Sequence, residues 1–216
     1  MFYSYTINML KNDSVSILLE IFKTVIIIVI IIVSIRNFVV QPFYVVGSSM
    51  EPSFQNNDYL IIDEFTYHFR QPRRGEVIVL KHPTPECDIF VGENFFAKLF
   101  TKEPCRNYIK RVIGTPGDTV KVEGGNVYVK SKSSSDFTIL NENYIDSQFK
   151  GQTLGNQVRD LQADEFYVIG DNRAPGESSD SREWGILKRD HIVGKTWLRL
   201  LPKYSRISTP IYNTGN

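Results

Sequence analysis

Residues 119–130 read TVKVEGGNVYVK, and this stretch decides the class of fold. Two runs that alternate apolar and polar residues flank Gly124-Gly125, a pair able to take the positive φ of a tight turn, so the segment is read as a β-hairpin. Working outward, short β-branched and aromatic runs recur: YLIIDEF (59–65), EVIVLK (76–81), YIKRVIG (108–114), EFYVIG (165–170) and KTWLRLL (195–201). Turn clusters GTPGD (114–118) and GDNRAPG (170–176) close strands between them. No repeat at solenoid spacing occurs, and no helix-period segment is long enough to build a bundle. The expectation is a mostly β domain over residues 41–202, followed by a tail at 203–216. Two stretches fit a sheet badly. Residues 82–106 form a long insertion with an aromatic middle, FVGENFF and AKLF, suited to dip into a bilayer interface. KSKSSSDF (130–137) is a polar loop.

Upstream of the β domain, Ile21–Val40 reads IFKTVIIIVIIIVSIRNFVV, interrupted only by Lys23 and Arg36 near its ends. At about 1.5 Å per residue such a helix reaches roughly 30 Å, the thickness of the hydrocarbon core. A cleaved leader needs a small-x-small site, and SIRNFVVQPF offers bulky residues instead. The expectation is one uncleaved transmembrane helix at 21–40, with a short cytoplasmic tail at 1–20 and the β domain on the extracytoplasmic side of the cell membrane. The charge bias behind that orientation is thin: Lys11 and Lys23 are offset by Asp13, Glu20 and the opposing Arg36.

Composition excludes several classes of function. Lys and Arg number 25 against 24 Asp and Glu, a net charge of +1, so there is no basic surplus for a phosphate backbone and nucleic acid is not expected as a partner. His68, His82 and His191 fall in no HExxH pattern, the two cysteines lack zinc spacing, and neither GxxxxGK nor GxGxxG occurs. No metal and no cofactor are implied. Cys87 and Cys105 bracket the middle of the insertion and are compatible with a disulfide in an oxidising compartment or with two free thiols.

Just past the apolar run stands VVGSSMEPSF (45–54), with two serines where a plain anchor needs only a solvated linker. A serine hydroxyl is a weak nucleophile until a base takes its proton, and a desolvated neutral lysine is one known base. Lys110 lies in the strand YIKRVIG beside Arg111, and the two must point to opposite faces. Periodicity leaves open which of them is buried.

Four segments, VVGSSMEPSF, RRGEVIVL (73–80), YIKRVIGTPGD (108–118) and GDNRAPGESSDSREWGIL (170–187), occur in the order and spacing of the signature boxes of the type I signal peptidases, which the chain resembles. The resemblance implies a β-rich catalytic domain on a membrane anchor. It also implies cleavage of signal peptides from exported preproteins by a Ser-Lys dyad, with membrane lipid as a further partner. It makes Ser49, directly before Met50, the nucleophile and Lys110 the general base. Ser178 matches a serine that hydrogen-bonds and orients the lysine, with Ser179 and Ser181 as substitutes. Asp171, Asp180, Arg182 and Arg111 match the polar frame of that loop. Phe43, Met50, Tyr108 and Ile109 match positions lining the pockets for the small side chains before the cut. Two departures stand out. Gly47 replaces a serine that supplies an oxyanion donor in many members, and APGE (174–177) adds residues to the last box. A narrower Ser-Lys processing protease, and an inactive β-domain that binds exported chains, are the rival readings.

Overall fold

The computed structural model describes residues 16–31, 40–92, 104–210 and 212. It divides into two compact units, Met1–Val40 and Gln41–Asn216. In the first, residues 16–31 form helix α1, and its large apolar side chains from Ile17 to Ile31 are exposed. No described helix is long and apolar enough to cross a membrane. The span expected over Ile21–Val40 runs through residues 32–39, which lie outside the described residues.

The second unit is mostly β, as the alternating runs require. Strands β1 (Val40–Tyr44), β2 (Tyr59–Asp63), β3 (Val77–Lys81), β4 (Asn107–Gly114), β9 (Glu165–Ile169), β10 (Leu187–Lys188), β11 (Ile192–Leu201) and β12 (Ser205–Arg206) form one sheet. Its order is β1-β2-β11-β3-β4-β9-β10, with β12 paired to β11. A second sheet, ordered β7-β6-β5-β8, is made of β5 (Thr119–Glu123), β6 (Asn126–Lys130), β7 (Thr138–Ile139) and β8 (Gln157–Asp160). The hairpin at 119–130 forms as read: β5 and β6 pair antiparallel from Thr119↔Lys130 to Glu123↔Asn126, and Gly124 and Gly125 carry φ of 57° and 83°. Gly125 is required twice over, since a Cβ there would fall 1.7 Å from the Gly151 carbonyl oxygen.

Valines on one face of the hairpin, Val120, Val122, Val127 and Val129, pack with Ile113 of β4 and with Tyr167 and Ile169 of β9, which joins the two sheets. On its other face β4 contributes Val112 to a cluster with Ile78, Leu80, Phe166 and Val168. From Lys110 to Gly114 the strand is therefore buried on both sides. The question left open by periodicity has a two-sided answer: Lys110 and Arg111 are each only 3% exposed.

In the insertion, helix α3 (Pro85–Gly92) follows the short helix α2 (Thr66–Phe69) and strand β3 in chain order. Cys87 and Cys105 are disulfide-bonded, with Cα atoms 5.1 Å apart. The aromatic stretch expected to reach a bilayer interface lies, beyond Gly92, outside the described residues. The region past Pro202, read as a tail, returns to the sheet. β12 pairs with β11, the Ile207 N–H donates to Trp197 O at 3.1 Å, and Tyr212 packs against the inter-sheet cluster.

Candidate active site

Between β1 and β2 the chain makes a turn closed by bonds from Val45 N to Asp58 O (2.9 Å) and from Asn57 N to Val45 O (3.0 Å). Gly47 has φ of +100°, open space where a Cβ would stand, and an N–H that donates to Asn56 Oδ1 at 2.9 Å. It serves the backbone path, and its N–H is already engaged. Glu51 N donates to Ser48 O and Phe54 N to Met50 O, which winds the segment after Ser49 into a compact turn. Met50 and Phe54 sink into a core cluster with Val45, Leu60, Ile62, Val77 and Val79. This burial leaves Ser49 half-buried at the rim. Its backbone N–H donates to no described group.

Ser49 meets Lys110 there. Oγ and Nζ are 2.7 Å apart, and Nζ also donates to the Ile109 carbonyl at 2.9 Å. Among the described residues no carboxylate lies within ion-pair distance of Lys110. Burial pushes its pKa from 10.5 down to about 8, against the opposing pull of the Asp180 and Asp171 charges. About a tenth of the amine is then neutral near pH 7, and a neutral amine has the lone pair that a general base needs.

Around this pair stands a network of paired arginines. Arg111, on the opposite face of β4, donates Nε to Asp171 Oδ1 at 2.8 Å and Nη2 to Asp171 Oδ2 at 2.5 Å, with Nη1 on Gly75 O. Its guanidinium lies 4.0 Å from the centre of the Tyr144 ring. Arg182 holds Asp180 with Nε and Nη2, both at 2.8 Å. Burial alone would raise the Asp180 pKa, but Arg182 and the Gly170 N–H outweigh it and hold the carboxyl below its usual range. Ser178 Oγ donates to Asp180 Oδ2 at 2.7 Å. The direct bond expected between Ser178 and Lys110 is not made among the described residues: the hydroxyl donates to the carboxylate, the stronger acceptor, and the Lys110 amine reaches Ser49 Oγ and Ile109 O. Ile109 O orients the amine instead. Ser181, one of the substitutes, accepts the Val168 N–H at 3.0 Å.

Three residues without an assigned role in the sequence reading complete the arrangement. Asn172 donates its backbone N–H to Ser49 O and its Nδ2 to Ser48 O, each at 3.1 Å, and so ties the serine turn to the last box. Buried Arg173 donates to Gly170 O, to Thr153 Oγ1 and to both oxygens of Glu142. Both Asn172 and Arg173 stand within the quoted box, but nothing local signals partners that are 124 and 31 residues away. Gly170 is small by necessity: a Cβ would lie 2.2 Å from Ser178 Oγ and 2.4 Å from Ser49 O.

An open cleft of about 600 Å³ leads to the Ser49–Lys110 pair. Its walls are residues 43–49 on one side and 106–110 on the other, with Leu60, Val79, Gly176, Glu177 and Ser179. Of the expected pocket residues, Phe43, Tyr108 and Ile109 line it. Met50 does not: at 1% exposure it packs in the core, drawn inward by the turn after Ser49. β4 pairs with β3 along Asn107–Arg111 but with β9 only from Arg111 onward, so among the described strands the second edge of residues 107–110 is unpaired, and these residues line the cleft.

The chain is similar to known proteins over most of its length. A family model described as "Signal peptidase, peptidase S26" matches residues 18–201. A protein named probable signal peptidase I-2 from Synechocystis sp. is 39% identical over 184 residues, covering 85% of this chain and 73% of that protein. A signal peptidase I from Leptolyngbya laminosa is 39% identical over 187 residues, covering 86% and 80%. One from Bacillus amyloliquefaciens is 30% identical over 195 residues, covering 89% and 92%. A solved signal peptidase I from Enterococcus faecalis V583 overlaps 58% of this chain and 97% of its own at 21% identity, with a TM-score of 0.40. A family match over most of the chain, with relatives at this identity across most of their own length, establishes that the chain belongs to the signal peptidase family, peptidase S26.

Proposed function

We propose that the chain is a membrane-anchored serine endopeptidase that removes signal peptides from exported preproteins with a Ser49–Lys110 dyad. One observation carries the reading: a serine hydroxyl 2.7 Å from a buried lysine that has no carboxylate within ion-pair distance among the described residues and whose pKa is lowered by burial to about 8. Neutral Lys110 takes the Ser49 proton as Oγ attacks the scissile carbonyl. The lysinium then protonates the departing amine, leaving an ester on Ser49. Lys110, neutral again, deprotonates the water that hydrolyses the ester. The Ser49 N–H faces the developing oxyanion, and Gly47 supplies no second donor because its N–H is held by Asn56. The substrate adds as an extended strand along the second edge of residues 107–110, with its small side chains toward Phe43, Tyr108 and Ile109.

Anchoring is part of the same proposal. Every large apolar side chain from Ile17 to Ile31 on α1 is 41% exposed or more, a surface that lipid would cover, and the apolar sequence continues toward Val40. Held beside the bilayer, the domain searches two dimensions for a bond presented at the membrane surface. The domain after Gln41 then lies on the extracytoplasmic side, and protease added to spheroplasts should trim it.

The decisive test is incubation of the detergent-solubilised full chain with a purified precursor. The expected product is a single cut after the signal peptide, abolished in Ser49→Ala and blocked by an acylating inhibitor that labels Ser49. A Ser49→Ala protein that cuts at the normal rate would sink the mechanism.

A further inference from the structure

The dyad chemistry does not use the extra residues of the last box, Ala174-Pro175-Gly176-Glu177, yet the fold brings them to the cleft. Glu177 N donates to Ala174 O at 3.2 Å, and Gly176 has φ of +78°, so the four residues form a tight turn. That turn sends the Glu177 side chain back across the last box onto the serine turn, where Oε2 accepts the Ser48 hydroxyl at 2.5 Å. Glu177 is exposed, and it lines the cleft together with Gly176 and Ser179.

Its position relative to the cut follows from the proposed pocket together with the direction of the cleft walls. Residues 43–46 and 106–109 form the two walls, and both run toward Ser49 and Lys110 as their numbers rise. With the small side chains before the cut set toward Phe43, Tyr108 and Ile109, as proposed above, a strand bound between the walls runs parallel to them and places the residues before the cut along them. Phe43, Arg106 and Asn107 mark the far end of that side. The chain beyond the cut leaves over the opposite end, past Ser48 and Glu177. Among the described cleft-lining residues Glu177 is the sole carboxylate, and the other charged groups, Arg106 and Lys110, are cationic.

We infer that Glu177 is a specificity-determining residue for the segment that follows the scissile bond, selecting basic over acidic side chains at its first two positions. The inference rests on the signal peptidase reading and deepens it. An exposed carboxylate attracts an opposite charge and repels a like one by amounts that each change a rate only a few-fold, so the two together separate the substrates by about tenfold. Screening by salt should shrink that separation.

The test uses the full chain in detergent and two precursor peptides identical through the cut, one continuing Lys-Lys and the other Asp-Asp. kcat/KM is measured at a pH above 8, where Lys110 is largely neutral, for the wild-type protein, Glu177→Gln and Glu177→Lys. The wild-type protein should prefer the lysine peptide by about tenfold at low salt. The preference should approach unity in Glu177→Gln, invert in Glu177→Lys and contract as salt is raised. A Glu177→Gln protein that slows on both peptides with its preference unchanged overturns the inference, because Glu177 then only braces Ser48. A wild-type protein that cuts both peptides equally overturns it as well, while leaving the signal peptidase reading intact. Failure to cut either peptide overturns both.

Discussion

Lys110 and Arg111 are neighbours on one strand, equally buried, and treated in opposite ways. Arg111 is clamped by both oxygens of Asp171, by Gly75 O and by the face of Tyr144. Lys110 has a serine hydroxyl and one carbonyl. The arginine keeps its charge, and the hydrogen-bonded carboxylate offsets the desolvation cost of burying it. The lysine receives no such compensation, so its charged form is disfavoured and its pKa falls to about 8. The fold leaves one buried cation without a carboxylate among the described residues, and at the next residue along the strand it builds a rigid frame from the same kind of charge.

The largest effect should come from erasing the difference. Lys110→Arg puts a permanently charged guanidinium beside Ser49, with no lone pair to take a proton at any working pH. Cleavage should fall by about 10⁴-fold or more, measured as kcat/KM on a precursor peptide. Retention of a tenth of the wild-type rate would show that another group is the base. Breaking the other half of the comparison should cost stability. Asp171→Ala strands the Arg111 guanidinium, and about 3–5 kcal/mol should be lost in denaturant unfolding. Replacing both residues together, Arg111→Met with Asp171→Leu, should restore most of that loss. If the double variant is no more stable than Asp171→Ala, the damage is not due to an unpaired charge.

A third experiment sharpens the lysine side through pH. With a folded pKa of about 8 against 10.5 ordinarily, the folded chain binds fewer protons than the unfolded chain between those values. Stability should therefore rise with pH across that window, by about 3 kcal/mol, and below pH 8 the full penalty is present. Lys110→Met should remove the rise and be more stable than the wild-type protein by a similar amount at pH 7, seen as a higher unfolding midpoint. In parallel, wild-type kcat/KM should drop about tenfold per pH unit below 8 and level off above it. A flat profile between pH 6 and 9 would contradict a neutral-lysine base. The smallest effect is expected at Ser178, whose hydroxyl reaches Asp180 and not the lysine. Ser178→Ala should lower kcat by about tenfold or less and leave KM near its wild-type value, since the residue acts through the loop that carries Asn172. Loss as complete as in Lys110→Arg would instead place Ser178 in direct contact with the base during the reaction.

The alternation around Gly124-Gly125 and the segments on either side of it are properties of local chain and lead to a β domain, while Ser49 and Lys110 come from the resemblance of the four boxes to those of the signal peptidases. Side-chain period and turn chemistry depend on near neighbours, which is why these features were legible. Of the pocket residues that the resemblance implies, Phe43, Tyr108 and Ile109 line the cleft, while Met50 lies in the core, drawn there by a turn whose inward side no periodicity describes.

What tertiary structure alone decided is the treatment of β4. A strand in an antiparallel sheet normally has one covered face, and alternation can then tell inside from outside. Here the second sheet, through Val120, Val122, Val127 and Val129, covers the face that a single sheet would leave wet, so both Lys110 and Arg111 are buried and period 2 carries no information about either. Their different fates were set by partners from distant chain: Asp171 for the arginine, sixty residues away, and Ser49 for the lysine, sixty-one residues away. The contacts of Asn172 with Ser48 and Ser49, of Glu142 with Arg173 and of Glu177 with Ser48 belong to the same class. Sequence supplies the residue types for such pairs, but a desolvation penalty and its compensation exist only once packing has excluded water, and that is a property of the assembled fold.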